Sequence, residues 1–372
     1  MFPPSPRTGA DWPSLLPVHM TMSTGRALSL PGRNVMAAAM FALMAACSSD
    51  AGNIASPIPT EATDAKVKTP PTPVPPTTTT TNPLAGATFW VDPYSNAVNT
   101  ATAWRTTRPA DAAQMDKIGT GSSARWIGNW NTNVFGDVSA ATTAMSAGGA
   151  LPVFVAYNIP QRDCGGLSGG NATSATNYKT WITDFANGIG GRKAVVILEP
   201  DALAAMDCLS TTDQQMRIDL LKFAVQTFAA KGSISVYIDA GHPRWKSAAT
   251  MSQRLINAGI AMAQGFSLNV SNFLATADNI AYGTQLSPLV GGKHFVIDTG
   301  RNGLGPTADY QWCNPAGRAL GARATAASGN ALVDAYLWIK TPGESDGACN
   351  GNPSAGTWMP EYALGLAQRA AY

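Results

Sequence analysis

The sequence predicts an α/β fold: a parallel sheet closed into a TIM-like β/α barrel and carried by a single domain. Three features predict it. Seven short apolar runs, "ARWIGNW", "PVFVAY", "AVVILEP", "SVYIDAG", "GFSLNV", "HFVIDTG" and "AYLWIK", follow one another along the chain. They are separated by roughly 30 to 40 residues, the length of a strand-plus-helix unit. Between them lie stretches such as "DQQMRIDLLKFAVQTFAAK", with Leu220, Leu221, Ala224 and Phe228 at helical spacing. Runs that stay apolar without alternation are strands buried on both faces, as in a parallel sheet covered by helices. The third feature is that polar residues end nearly every run. An open doubly wound sheet concentrates them beside one crevice, so the wide distribution favours the barrel.

The first part of the chain is read differently. Arg33 precedes "VMAAAMFALMAAC", an apolar run of roughly a dozen residues, too short to span a bilayer and suited to a signal-peptide core. Its end, "LMAAC", resembles a bacterial lipobox with Cys47 as the acylated residue and lipid anchor. Met44 replaces the usual Leu, which keeps ordinary cleavage as the alternative. Residues 1–47 are therefore assigned to export, with Met20 and Met22 as alternative starts. Residues 48–83 are rich in Ser, Thr, Pro and Ala and end in "KTPPTPVPPTTTTTNP". Such a segment buries too little apolar surface to fold and serves as an extended spacer. The domain spans residues 84–372. With Cys47 set aside, it holds Cys164, Cys208, Cys313 and Cys349. An even number in an exported domain points to two disulfides, and sequence alone allows three pairings.

The strand ends carry the chemistry. After "PVFVAY" comes Asp163; after "AVVIL" come Glu199 and Asp201; "SVYI" ends on Asp239, followed by His242 and Trp245. "HFVI" ends on Asp298, with Arg301 behind it, and "AYLWI" ends on Lys340, then Glu344 and Asp346. In a parallel barrel all strand C-termini open on one face, so these groups converge despite their separation in sequence.

Several function classes are excluded. Only 13% of the 372 residues are charged and the net charge is +2, which offers nucleic acid no basic face. The domain's two histidines, His242 and His294, and its paired cysteines leave no metal-ligand set, so neither metal nor cofactor is expected. "GTGSS" after Ile118 does not link a strand to a helix as a phosphate loop must. "GLSGG" fits G-x-S-x-G around Ser168, but that motif needs a strand before it and a helix after it, and both flanks read as loop. What remains is a cleft of carboxylates and aromatic rings. Glycoside hydrolysis needs one carboxylic acid to protonate the leaving oxygen and one carboxylate to assist water or attack the sugar. Burial or neighbouring negative charge keeps such an acid protonated near neutral pH. Asp201, with Asp163 arriving from the adjacent strand, suits that demand. Trp rings offer flat apolar faces to pyranose C–H groups.

The motifs "AYNIPQRDCGGLSGG", "VILEPDALAAMDC", "VYIDAGHPRW", "LNVSNF", "IDTGRNGLGP", "QWCNPAGRALG" and "LWIKTPGESDGAC" resemble, in order, those of glycoside hydrolase family 6. That family holds endoglucanases and cellobiohydrolases acting on β-1,4-glucan. The resemblance runs from "FWVDPYSNA" near Phe89 almost to the C-terminus. It implies a distorted seven-stranded barrel and an inverting mechanism on a β-1,4-glucan partner, by a monomer. Asp201 would be the general acid. Asp163 would raise its pKa and orient water, and Tyr157 would press on the distorted sugar. Asp346 would be the base, salt-linked by Arg301 and Lys340. Asp239, His242, Trp245 and Trp312 would line the cleft, the two Trp as platforms, while Lys340 and Glu344 hold hydroxyls. The implied disulfides are Cys164–Cys208 and Cys313–Cys349. The loops "GESDGACNGNPSAGTWMPEYA" and "DCGGLSGGNATS" are short, which implies an open groove and endo action. Exo action, as in a cellobiohydrolase, and a non-catalytic glucan-binding barrel are the alternatives.

Plainer roles compete at several positions. Glu199 reads as a satisfied barrel-end carboxylate and Asp298 as a structural anchor for the Arg301 loop. Asn269 and Asn272 suit backbone bridging at a strand end. Trp126, Trp130 and Trp338 lie on or beside strands, where core packing competes with sugar stacking.

Overall fold

The computed structural model describes residues 81–167, 169 and 174–372. The export segment with Cys47, the spacer up to residue 80 and the Ser168 motif position lie outside these residues. All seven apolar runs become strands: β1 (Arg125–Gly128), β2 (Val153–Tyr157), β3 (Ala194–Leu198), β4 (Ile234–Asp239), β5 (Gly265–Leu268), β6 (His294–Asp298) and β7 (Val333–Leu337). They form one sheet in sequence order, and every neighbouring pair is parallel.

The absence of alternation now has a cause: each face of the sheet has its own core. Outward side chains such as Phe154, Val196, Phe266 and Phe295 pack under the helices, while Val155, Ile197, Tyr237 and Val296 fill the interior. The helices are α1 (Asn96–Trp104), α2 (Pro109–Gly119), α3 (Val134–Ser146), α4 (Ala175–Ile189), α5 (Thr211–Ala229), α6 (Ala248–Asn257), α7 (Thr276–Leu286) and α8 (Pro360–Gln368). Helices α1, α3, α4, α5 and α6 each begin on a Ser or Asn whose side chain accepts a first-turn N–H.

The barrel is distorted at its seam. Among the described residues β1 and β7 form no ladder. They meet at a single bridge, Ser123 to Trp338, where the Ala124 N–H donates to the Trp338 carbonyl at 2.9 Å. A separate cluster from α1, α2 and α8, centred on the buried Trp338, fills that seam. Gly121 permits it: a Cβ there would come within 2.1 Å of the Trp338 ring.

Strand–helix alternation breaks once. Residues 299–332, joining β6 to β7, contain no α-helix. Pro306 and Pro315 remove backbone donors and clash with the preceding turn, and the flanking glycines, Gly303, Gly305 and Gly317 among them, disfavour helix further. This long connection, held by the bridges Asn302–Ala319 and Thr325–Tyr336, supplies one wall of the site.

Candidate active site

The strand C-termini surround one cavity of about 1440 Å³. Of the residues singled out in the sequence, Tyr157, Asp163, Asp201, His242, Trp245, Trp312, Lys340, Glu344 and Asp346 line it. Asp239 and Arg301 do not: each is only 1% exposed and lies beneath the cleft floor. Both sit where a strand end or its first turn is covered by neighbouring loops, so they act on the cleft only through the groups they hold.

Glu199 and Asp201 point apart because the chain turns sharply after β3. Both adopt left-handed backbone, with φ of 48° and 70°, a conformation costly for residues with a Cβ and concentrated at functional sites. Glu199 turns back into the barrel, where its carboxylate accepts the N–H groups of Asn158 and Ile159 at 3.0 Å. Burial pushes its carboxyl up to about 7 even against those donors. Asp201 turns toward the cleft and is partly exposed. Its carboxyl is pushed well above the usual range, first by burial and then by the negative charges of Asp239, Asp163 and Asp346. Asp239 is fixed directly below, accepting N–H bonds from Asp201 (3.0 Å) and Gly241 (3.1 Å) and the Ser267 hydroxyl (3.0 Å). A carboxyl so placed is harder to ionise than a free one, which suits it to hold a proton and donate it.

Asp163 rides on a short 3-10 turn, Arg162–Gly165, with φ of 52° at Asp163 and 49° at Cys164. Three ties hold it. Arg162 donates to the Tyr157 carbonyl at 2.6 Å and stacks 4.1 Å from the Tyr157 ring. The disulfide Cys164–Cys208 joins the turn to the segment following Asp201. Arg217, buried on α5, donates to the carbonyls of Pro160 (3.0 Å), Gln161 (2.7 Å) and Ala202 (3.2 Å). Arg217 was missed in the sequence, although a charged residue among Ile218, Leu220 and Leu221 on the apolar face of α5 signals it.

Asp346 is gripped from the opposite side. Arg301 meets both its oxygens at 2.8 Å and the Asn314 N–H adds a bond at 3.0 Å. The second disulfide, Cys313–Cys349, closes this loop. Lys340 does not join Asp346 as the resemblance implied. The chain doubles back after β7, so its ammonium faces Glu344 at 3.6 Å and donates to the Ser345 carbonyl at 3.1 Å. Asp298 ties three strand exits together, accepting N–H groups from Ser271, Gly300, Ile339 and Lys340. Asn269 bridges from β5, donating to the Asp298 carbonyl at 2.8 Å and accepting the Leu274 N–H at 3.1 Å.

The walls are aromatic. Trp312 is half-exposed; Trp245 lies 5.4 Å from His242, ring to ring. The Arg244 N–H donates to His242 Nδ1 at 3.3 Å, which leaves the ring proton on Nε2. Burial, then the charge of Arg244, pushes the imidazole down to about 4, so it is neutral at working pH. The three ambiguous tryptophans divide: Trp338 is core, whereas Trp126 and Trp130 line the cleft.

Comparison with known proteins agrees with this geometry. The model of glycosyl hydrolases family 6 matches residues 84–370. Endoglucanase A of Cellulomonas fimi is 46% identical over 285 residues, 76% of this chain and 61% of that protein. Endoglucanase 1 of Streptomyces halstedii is 42% identical over 287 residues, 74% of this chain and 87% of that one. Among solved structures, the endoglucanase Cel6 from Mycobacterium tuberculosis, in complex with methyl-cellobiosyl-4-deoxy-4-thio-β-D-cellobioside, is 46% identical with a TM-score of 0.74. The match covers 77% of this chain and 98% of that one. The catalytic core domain of the cellobiohydrolase Cel6A from Chaetomium thermophilum is 27% identical with a TM-score of 0.67, covering 78% of this chain and 98% of that one.

Proposed function

The chain belongs to glycosyl hydrolase family 6, and we propose that it is an inverting endo-β-1,4-glucanase with Asp201 as its general acid. The observation that carries this reading is the Asp201 carboxyl, pushed well up by burial and by three neighbouring carboxylates at the floor of an aromatic-walled cleft. A glucan chain stacks on Trp245 and Trp312, and its hydroxyls meet Lys340, Glu344 and His242. Tyr157 presses on the sugar at the scission point. Asp201 protonates the departing oxygen while Asp163 orients the water. Asp346 accepts the water's proton. An ionised carboxylate has about four lone-pair directions. Arg301 and Asn314 engage three of them, so Asp346 takes the proton along one remaining direction through ordered water. Asp239 and Arg301 act from below as positioning residues.

Endo action rests on the short loops and on the endoglucanases among the relatives. One observation favours exo action: the two loops approach each other, a Cβ at Gly347 falling 2.8 Å from the Leu167 Cβ. Carboxymethyl-cellulose separates the two. A steep early viscosity fall per reducing end released is expected; reducing ends without it would establish exo action. NMR of the first product should show the α-anomer, since water attacks the face opposite the leaving group. Binding without any release of reducing ends would make the protein a glucan-binding barrel.

The pH profile has a defined sign. The acid must be protonated, so activity is present below its folded pKa and lost as pH rises through it. Asp239→Asn removes one of the negative charges that raise Asp201. The alkaline limb of kcat/KM should therefore move to lower pH, and an unmoved limb would detach Asp239 from Asp201.

The leader and spacer complete the proposal: an exported, monomeric enzyme with its domain held out by residues 48–83. Cys47 is either acylated at the cell surface or removed by ordinary cleavage, which mass spectrometry of the mature N-terminus distinguishes.

A further inference from the structure

We propose that Arg244 is a further glucan-binding residue and that Tyr310 positions it, the pair forming a clasp across the cleft wall above β5. The inference rests on the glucanase reading. Both residues line the cavity. The Arg244 guanidinium carbon lies 3.6 Å from the centre of the Tyr310 ring, within cation–π range. Arg244 follows β4 and Tyr310 lies on the connection from β6 to β7. Strand β5 runs between β4 and β6, so the contact passes over the exit of β5.

The link from β5 to the next helix is short: the strand ends at Leu268 and helix resumes at Thr276. The clasp spans that exit and joins the two platforms, since Arg244 adjoins Trp245 and Tyr310 lies two residues before Trp312.

Each partner is held on its own side. The Arg244 backbone is fixed by its N–H bond to His242 Nδ1 at 3.3 Å. Tyr310 adopts left-handed backbone, φ 57°, and the residue is 43% exposed. Its turn is closed by Tyr310 N–H to the Thr307 carbonyl (3.0 Å) and Gln311 N–H to the Thr307 hydroxyl (2.8 Å). An unfavourable backbone that presents a half-exposed ring to a guanidinium is the arrangement of a positioning group. Stacking holds the guanidinium plane but uses none of its five N–H donors. No acceptor for them is present among the described residues. Donors aimed along a sugar-binding wall suit the hydroxyls of a glucan chain.

The test measures binding of cellohexaose by calorimetry in the Asp201→Ala protein, which binds without turnover. Arg244→Ala should weaken binding roughly three- to tenfold, the loss of one such contact. Tyr310→Ala should weaken it comparably, Tyr310→Phe should not, and the double variant should be no weaker than Arg244→Ala alone. Unchanged binding by Arg244→Ala, or losses that multiply in the double variant, would overturn the proposal while leaving the glucanase reading intact. A parent protein that ignores cellohexaose would overturn both. Both side chains are cleft-facing, and coincident thermal melts establish that every variant is folded.

Discussion

Asp201→Ala is expected to lower kcat on polymeric β-1,4-glucan by at least about a thousandfold, the upper part of the range for a positioned general acid. The reasoning starts from the β3 exit, where left-handed backbone at Asp201 sends its carboxyl into the cleft over Asp239. Ionisation of that carboxyl is opposed by burial and by the charges of Asp239, Asp163 and Asp346, so removing it relieves repulsion. The melting temperature should hold or rise. A substrate whose leaving group departs without protonation, such as an aryl cellobioside with an acidic phenol, should keep most of its rate in the variant. Equal losses on both substrates would make Asp201 a structural residue, and full retention on polymer would end the assignment.

The positions of these groups differ in how far sequence could reveal them. The strands announced themselves because both faces of the sheet are covered, which forces unbroken apolar runs, and a charge closing such a run must leave the core. Asp163, Asp201 and Asp346 were legible for that reason. Asp239 and Arg301 bear the same signature but lie under the floor, because the turn at Gly241 and the loop at Ser271 close over them, and side-chain depth beyond a strand end has no periodicity to read. Lys340 was misassigned to Asp346 since only the folded loop brings Glu344 to its ammonium. The connection between β6 and β7 departed from alternation because Pro and Gly there favour an extended wall. Arg217 and Asn314 went unread for a different cause: Arg217 meets backbone carbonyls and Asn314 meets Asp346 through its own backbone N–H, and backbone groups look alike at every position of a sequence.

The second large effect concerns stability. Arg301 is buried, bonded to both oxygens of Asp346 at 2.8 Å and to the Ser271 carbonyl at 2.6 Å, and stacked 4.3 Å from the Phe273 ring. Arg301→Met keeps most of the volume and removes the charge. Asp346, 8% exposed, is then a buried carboxylate without its counter-ion. Breaking a buried pair from one side costs about 3–5 kcal/mol, chiefly through the stranded charge. Denaturant titration should therefore show a loss of that size near neutral pH. The deficit has a pH signature. An unpaired buried carboxyl has its folded pKa raised above the unfolded value, so its penalty is absent at low pH and grows as pH rises between the two. Acidification should bring the variant back toward the parent. The double variant Arg301→Met, Asp346→Leu should recover most of the stability, since two apolar side chains replace the pair, yet stay inactive because the proposed proton acceptor is gone. A single variant as stable as the parent at neutral pH would show that water already reaches Asp346, and the floor of the cleft would then be wetter than its packing implies.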